Sequence, residues 1–131
     1  MRFFPNPYLL IGAVALLLLA GLALWRRSRR KTPQQLERER RLRLNAMGRI
    51  TDGTVLDVHE ERRPRGPIQQ LLIYRYDVAG VSYEASQDVT YLRHLLDLHS
   101  CRIGLLASVK YDAQNPGNSI VIAEGWSGLR K

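Results

Sequence analysis

Hydrophobic positions fall into three regimes along the chain. From Tyr8 to Trp25, eighteen consecutive residues carry no charge, in the run YLLIGAVALLLLAGLALW. A helix of that length rises roughly 27 Å at about 1.5 Å per residue, close to the hydrocarbon thickness of a bilayer. Backbone groups in lipid must bond within their own segment, so the run predicts a membrane helix over 8–25 after a short tail, 1–7. Tyr8 and Trp25 close its two ends, where amphipathic rings favour the interface. A cleaved signal peptide is the rival reading. The run lacks an A-x-A site before a polar start and ends in Trp25-Arg26-Arg27-Ser28-Arg29-Arg30-Lys31, a stop-transfer pattern.

The second regime, 26–47, is polar. Thr32-Pro33-Gln34-Gln35 predicts a helix start with a capping box and proline in the first turn. Good helix formers follow without a breaker until Gly48. Glu37 with Arg41 and Glu39 with Arg43 have the spacing of i,i+4 pairs. The apolar stripe Leu36, Leu44 and Met47, with Arg40 among them, is incomplete, so a solvated spacer helix is expected.

From Gly48 the period becomes two. Strands are predicted at Thr54–Glu60, Leu71–Val78, Val81–Ala85, Arg102–Tyr111 and Ser119–Ala123. Arg62-Arg63-Pro64-Arg65-Gly66-Pro67 reads as a loop, Ala79-Gly80 as a tight hairpin turn and Asp112–Gly117 as another turn. Gln87–Leu98 reads as a short helix with Asp88 at its N-cap. The fold class is therefore mainly β with α: a transmembrane helix, a basic linker helix, and a five-stranded β-barrel or sandwich over 48–125 with one short helix. Residues 126–131 are expected as a C-terminal tail. The expected core is Val55, Val58, Leu72, Tyr74, Tyr76, Val81, Tyr83, Val109, Tyr111, Ile120 and Ile122.

Charge refines this picture. The chain has 20 Lys+Arg and 12 Asp+Glu, net +8. Positions 26–49 hold ten basic and two acidic residues, which is +8 by themselves. Residues 50–131 hold nine basic and ten acidic, so the domain is close to neutral. A basic pI then says nothing about nucleic acid, and the basic segment has no aromatic residue to stack on bases. The positive-inside bias places the N-terminus outside and the β-domain in the cytoplasm. Arg26, Arg27, Arg29, Arg30 and Lys31 are candidate contacts for an anionic membrane surface or a partner, as are Arg62, Arg63 and Arg65 in the loop.

Candidate chemistry is sparse. One cysteine, Cys101, excludes an internal disulfide framework. His59, His94 and His99 have no metal-ligand spacing; Asp97, His99 and Cys101 form only a D-x-H-x-C string. Cys101 has no fixed base, and no nucleophile elbow or phosphate-binding glycine pattern occurs. No cofactor or metal is expected. Tyr74, Tyr76, Tyr83 and Tyr111 suit a small core better than a ligand platform. Asp112 and Asn115 are expected to build their turn.

The series Gly53-x-Val55, Tyr74-x-Tyr76-x-Val78-x-Gly80-x-x-Tyr83, Gly104 and Val109-x-Tyr111-Asp112-x-x-Asn115-Pro116 resembles a widespread bacterial family of small membrane-associated β-domains, catalogued as a domain of unknown function. The resemblance covers roughly 48–123. It departs at Ala113, where the family usually has proline, and in the insert at Gln87–Leu98. It implies a small β-domain beside a membrane helix in the bacterial inner membrane, and it brings no catalytic residue. The expectation is a membrane-anchored interaction or assembly module that is not an enzyme, with a membrane or cytoplasmic protein, or a second copy, as partner and no nucleic acid. The alternatives are a module sensing anionic lipid through its basic segment and a small hydrolase or metal-dependent enzyme around His99 and Cys101.

Overall fold

The computed structural model describes residues 6–95 and 101–130. The chain forms two units, one through Leu36 and one from Glu37 onward. In the first unit, helix α1 runs Pro7–Ser28, with proline in the first turn and Arg26 and Arg27 in the last, where cations suit the helix dipole. It is long and apolar enough to cross a membrane, and none of its residues is buried. The Arg29 guanidinium lies 4.1 Å from the Trp25 ring centroid.

Helix α2 runs Pro33–Met47. The predicted capping box is present: the Thr32 amide donates to Gln35 Oε1 at 3.0 Å, and the Gln35 amide to Thr32 Oγ1 at 3.3 Å. Strands follow in the order β1 (Arg49–Glu61), β2 (Gln69–Val78), β3 (Val81–Asp88), β4 (Leu106–Tyr111), β5 (Ser119–Ile120), β6 (Ile122–Ala123) and β7 (Trp126–Ser127). The fold is mixed α/β. Five strands form an antiparallel, barrel-like sheet in the order β3-β2-β1-β4-β5, while β6 and β7 form a hairpin of their own.

The β2–β3 hairpin has its predicted two-residue turn. Ala79 and Gly80 both adopt positive φ, 51° and 80°, which matches the right-handed twist of the flanking strands. Pairing Val55 with Tyr74 and Asp57 with Ile73 leaves Leu56 as a one-residue bulge in β1. Gly53, opposite Ala107 and Tyr76, is a close approach: a Cβ there would lie 2.7 Å from Val109 Cγ2 and 2.8 Å from the Arg75 carbonyl oxygen.

The core collects Val55, Leu72, Tyr74, Tyr76, Val89, Leu92, Ala107, Val109, Val121 and Ile122. Val81 departs from expectation. It sits opposite Val78 where the hairpin turns, past the core, and is 52% exposed. Val58, Tyr83 and Tyr111 are only partly buried against the core.

Strand β1 begins at Arg49 instead of Thr54, and β4 at Leu106 instead of Arg102, because residues 103–104 form a turn with Gly104 at φ 86°. Three further elements differ from the sequence reading. First, Gln87 and Asp88 extend β3 instead of starting a helix, because Leu72 and Leu71 pair with them. Only Thr90–Leu95 is helical, as a 3-10 helix. Asp88 still caps it, with Oδ1 accepting from the Thr90 amide at 3.0 Å. Residues 96–98 of the expected helix lie outside the described residues. Second, the fifth strand divides at Val121, where the chain leaves β4 and turns into the β6–β7 hairpin. Third, the segment from Trp126 to Arg130 is not a tail. The Ser108 amide donates to Gly128 O at 2.6 Å and the Arg130 amide to Leu106 O at 3.0 Å, so it lies along β4 beyond the end of β5.

Candidate interaction surfaces

From Glu37 onward, the expected linker helix of 26–47 is part of the domain. Its inward face is Glu37, Arg40, Arg41, Leu44 and Asn45, followed by Gly48, at i, i+3, i+4, i+7, i+8 and i+11. That is helical periodicity written mostly in polar residues. Arg40 Nη1 donates to Asn118 Oδ1 at 2.8 Å and to Ser119 O at 3.0 Å. Its other nitrogens grip Glu37, three residues back. Arg41 leaves Glu37, its expected partner, for Glu124 at 2.8 Å. Lys110 Nζ reaches Asn45 O at 2.9 Å and Oδ1 at 2.7 Å, and lies 4.4 Å from the Trp126 ring centroid. Leu44 packs with Ile120, Ala123 and Trp126. Its burial contributes about 2 kcal/mol, so the charged contacts hold the helix at least as firmly as the apolar one. Arg41 hydrogen bonding holds the Glu124 carboxyl below its usual range. The expected stripe fails at its ends: Leu36 is 54% and Met47 79% exposed.

The tyrosines divide by depth. Tyr74 and Tyr76 are buried, while Tyr83 and Tyr111 are half-buried against Tyr76 at ring-centroid separations of 5.6 and 6.5 Å. Tyr74 shares a hydrogen bond with Ser119 Oγ at 2.8 Å, and burial pushes its phenol up to about 12. Tyr76 donates to Pro116 O, which ties the middle of the sheet to the closing turn. In that turn Asp112 Oδ1 accepts from the Gln114 amide at 2.9 Å, an Asx turn. Asn115 takes part through its backbone, donating to Asp112 O and accepting from Asn118. Gly80 is the second residue of the β2–β3 turn.

Gln87 carries no signal in the sequence, yet it joins the two ends of the sheet. Fully buried at the end of β3, it accepts from the Val121 and Ile122 amides at 2.8 and 3.0 Å and donates from Nε2 to Ile122 O. A side-chain amide thus replaces the strand-to-strand ladder that would complete a barrel.

The two arginine groups have different settings. Arg26, Arg27, Arg29, Arg30 and Lys31 are all exposed in the first unit. Arg62, Arg63 and Arg65 are exposed at the tip between β1 and β2, where Gly66 turns the chain at φ 104°. Among the described residues no three His, Cys, Asp or Glu side chains could hold a metal ion. His59 and His94 are exposed, and Cys101 is partly buried against the core. Asp97, His99 and Ser100 lie outside the described residues.

The last feature is the outer edge of β3. A two-residue hairpin makes Val78 and Val81 a hydrogen-bonded pair, so Ser82, Glu84 and Ser86 turn their amides and carbonyls away from β2. All three residues are exposed, and none has a backbone partner among the described residues. On the opposite side of the sheet, β5 and residues 128–130 cover β4.

Compared with known proteins, the chain matches no family model, no curated protein and no solved structure.

Proposed function

We propose that the chain is a single-pass protein of the bacterial inner membrane whose cytoplasmic β-domain is a non-catalytic interaction or assembly module. Its partner adds an extended segment to the outer edge of β3. The observation that supports this reading is the unequal treatment of the two sheet edges. Folding covers β4 twice over, by β5 and by the returning C-terminal segment, whereas among the described residues Ser82–Ser86 has no cover, and it has no proline, lysine or bulge to blunt it. Main-chain hydrogen bonds along such an edge supply affinity for a partner strand. A membrane helix would hold the module at one surface and raise the local concentration of any partner there.

The test is purification of the intact chain from its own membranes in mild detergent, with mass and composition read by light scattering and mass spectrometry. A stoichiometric partner or a defined homo-oligomer is expected. Ser86→Pro should dissociate it, because the Ser86 amide points away from β2 and its loss leaves the β2–β3 ladder intact. Ser86→Thr should not. A lone monomer in the wild type, or a complex untouched by Ser86→Pro with an unchanged circular dichroism spectrum, refutes the edge reading.

A second reading has an observation of its own. The five exposed cations at 26–31 suit an anionic leaflet, where each contributes about 1 kcal/mol near the surface.

A further inference from the structure

Strand β3 has a pattern along its free edge that is complementary to itself. On the side of the core it presents Val81, Tyr83 and Ala85, and on the other side Ser82, Glu84 and Ser86. The first set continues the core. Tyr83 stacks on Tyr76 at 5.6 Å and Tyr76 on Tyr111 at 6.5 Å, so a row of three rings crosses the sheet and stops at this edge. Tyr83 is only half-buried there, and Val81 is 52% exposed. The second set is short except for Glu84, whose carboxylate lies 3.3 Å from the Arg75 guanidinium on β2.

We infer that the segment added to this edge is β3 of a second copy, paired antiparallel about a two-fold axis at Tyr83. This deepens the reading above and rests on its free edge and its anchor. Ser82, Glu84 and Ser86 turn their amides and carbonyls outward, so only registers that set even-numbered residues against even-numbered ones can bond. A two-fold at Glu84 would set that carboxylate against its own copy, and like charges directly opposite destabilise a pair. A two-fold at Ala85 would run the second copy into the end of β3, where Gln87 already bonds Val121 and Ile122. A two-fold at Tyr83 avoids both. Glu84 then faces Ser82 of the second copy, and Ala85 of the second copy covers Val81. Tyr83 meets Tyr83 as a non-hydrogen-bonded pair, the closer kind, which joins two rows of three rings into one of six. The two-residue turn sends the Val81 amide to Val78 and the Gly80 carbonyl outward, where Ser86 of the second copy donates to it. A foreign strand would need an apolar residue opposite Tyr83 and no acid opposite Glu84; β3 meets both conditions itself. About five residues a side is small beside the roughly 20–30 of a standard interface. The pair therefore relies on the anchor, which confines both copies to one membrane.

The test is disulfide cross-linking of full-length chains in their own membranes, with Cys101→Ser as background and two different tags on co-expressed single-cysteine chains. Val81→Cys with Ala85→Cys reads the two-fold at Tyr83, where these residues face one another with Cα atoms about 4.5 Å apart, within disulfide range. Ser82→Cys with Ser86→Cys reads the two-fold at Glu84. After mild copper-catalysed oxidation, the Val81–Ala85 product should exceed the Ser82–Ser86 product, and that of either cysteine alone, several-fold. Ser86→Pro should abolish it. Should Ala85→Cys unfold the domain, Ser82→Cys with Glu84→Cys reads the same two-fold from the solvent side. A dominant Ser82–Ser86 product overturns the inference. So does the absence of any product while a foreign chain co-purifies and is released by Ser86→Pro, an outcome that leaves the edge reading standing. No product from a lone monomer, or from a complex indifferent to Ser86→Pro, removes both.

Discussion

At the scale of single residues, the domain depends on polar side chains placed where a hydrophobic pattern would not put them. Gln87 is the sharpest case. Its amide matches two N–H groups and one carbonyl of residues 121–122, all buried. Gln87→Leu keeps the volume but leaves those three groups without a partner. At about 1 kcal/mol or more for each stranded group, the loss should be about 3 kcal/mol, read as a lower urea midpoint for the detergent-solubilised chain. Gln87→Glu should be worse at neutral pH, because a carboxylate cannot donate to Ile122 O and would be buried charged. Its deficit should shrink on acidification, as a protonated carboxyl regains the donor. An equal midpoint for Gln87→Leu and wild type would show that the sheet closes without this side chain. None of this is visible in the sequence, where Gln87 opens an apparently helical run. Periodicity reports apolar positions only, and a fully bonded buried amide does not register.

At the scale of elements, strands and turns were the legible part. Alternation located all five strands of the main sheet, since period two is imposed by a half-buried pleat. Ala79-Gly80 announced its hairpin through Gly80, which takes φ 80° at no steric cost, while Ala79 follows it to φ 51° at the cost that a Cβ carries there. Docking of α2 was hidden because its inward face is Glu37, Arg40, Arg41 and Asn45, which read as solvated. That face gives α2 a pH dependence. The Glu124 carboxyl is held below its usual value by Arg41, so it binds a proton less readily in the folded state than in the unfolded one. The stability it contributes is present above the ordinary glutamate range and is lost as pH falls through the lowered folded value. Glu124 is about one-third exposed, so the loss is modest, about 1 kcal/mol after solvent screening. Amide exchange of α2 should quicken, once corrected for intrinsic rates, as pH falls below about 4. In Glu124→Gln it should already be quicker at neutral pH and should not change further over that range. An α2 whose corrected protection ignores both the variant and the acid limb would mean that Leu44 holds the helix alone.

At the scale of the whole molecule, the boundaries of the folding unit move outward at both ends. A domain of 48–125 is what alternation suggests, because it contains every strand that alternates. The packing reaches further. Leu44 covers Ile120 and Ala123 from before the first boundary, and Gly128 and Arg130 bond to β4 from beyond the last. Gly128 fits there only because it lacks a side chain: a Cβ would stand 1.9 Å from the Ser108 carbonyl oxygen. Short polar-flanked segments such as Trp126–Ser127 carry too few residues to show a period, which is why the C-terminal closure was not legible. A fragment of 48–125 would expose Ile120 and Ala123, strand the Ser108 amide and Leu106 carbonyl, and leave Lys110 without Asn45 or Trp126. Losses of about 2 kcal/mol for the uncovered leucine contact and about 1 kcal/mol for each lost hydrogen bond, whose groups then meet water, take a large share of the stability of a small domain. A fragment of 33–131 should therefore give one cooperative urea transition and a dispersed amide spectrum, whereas 48–125 should give neither. Cooperative unfolding of 48–125 would show that the helix and the C-terminal segment decorate a self-sufficient sheet. Its failure beside a folded 33–131 would show that the barrel is completed by the segments on either side of it, the first of which also leads to the apolar helix.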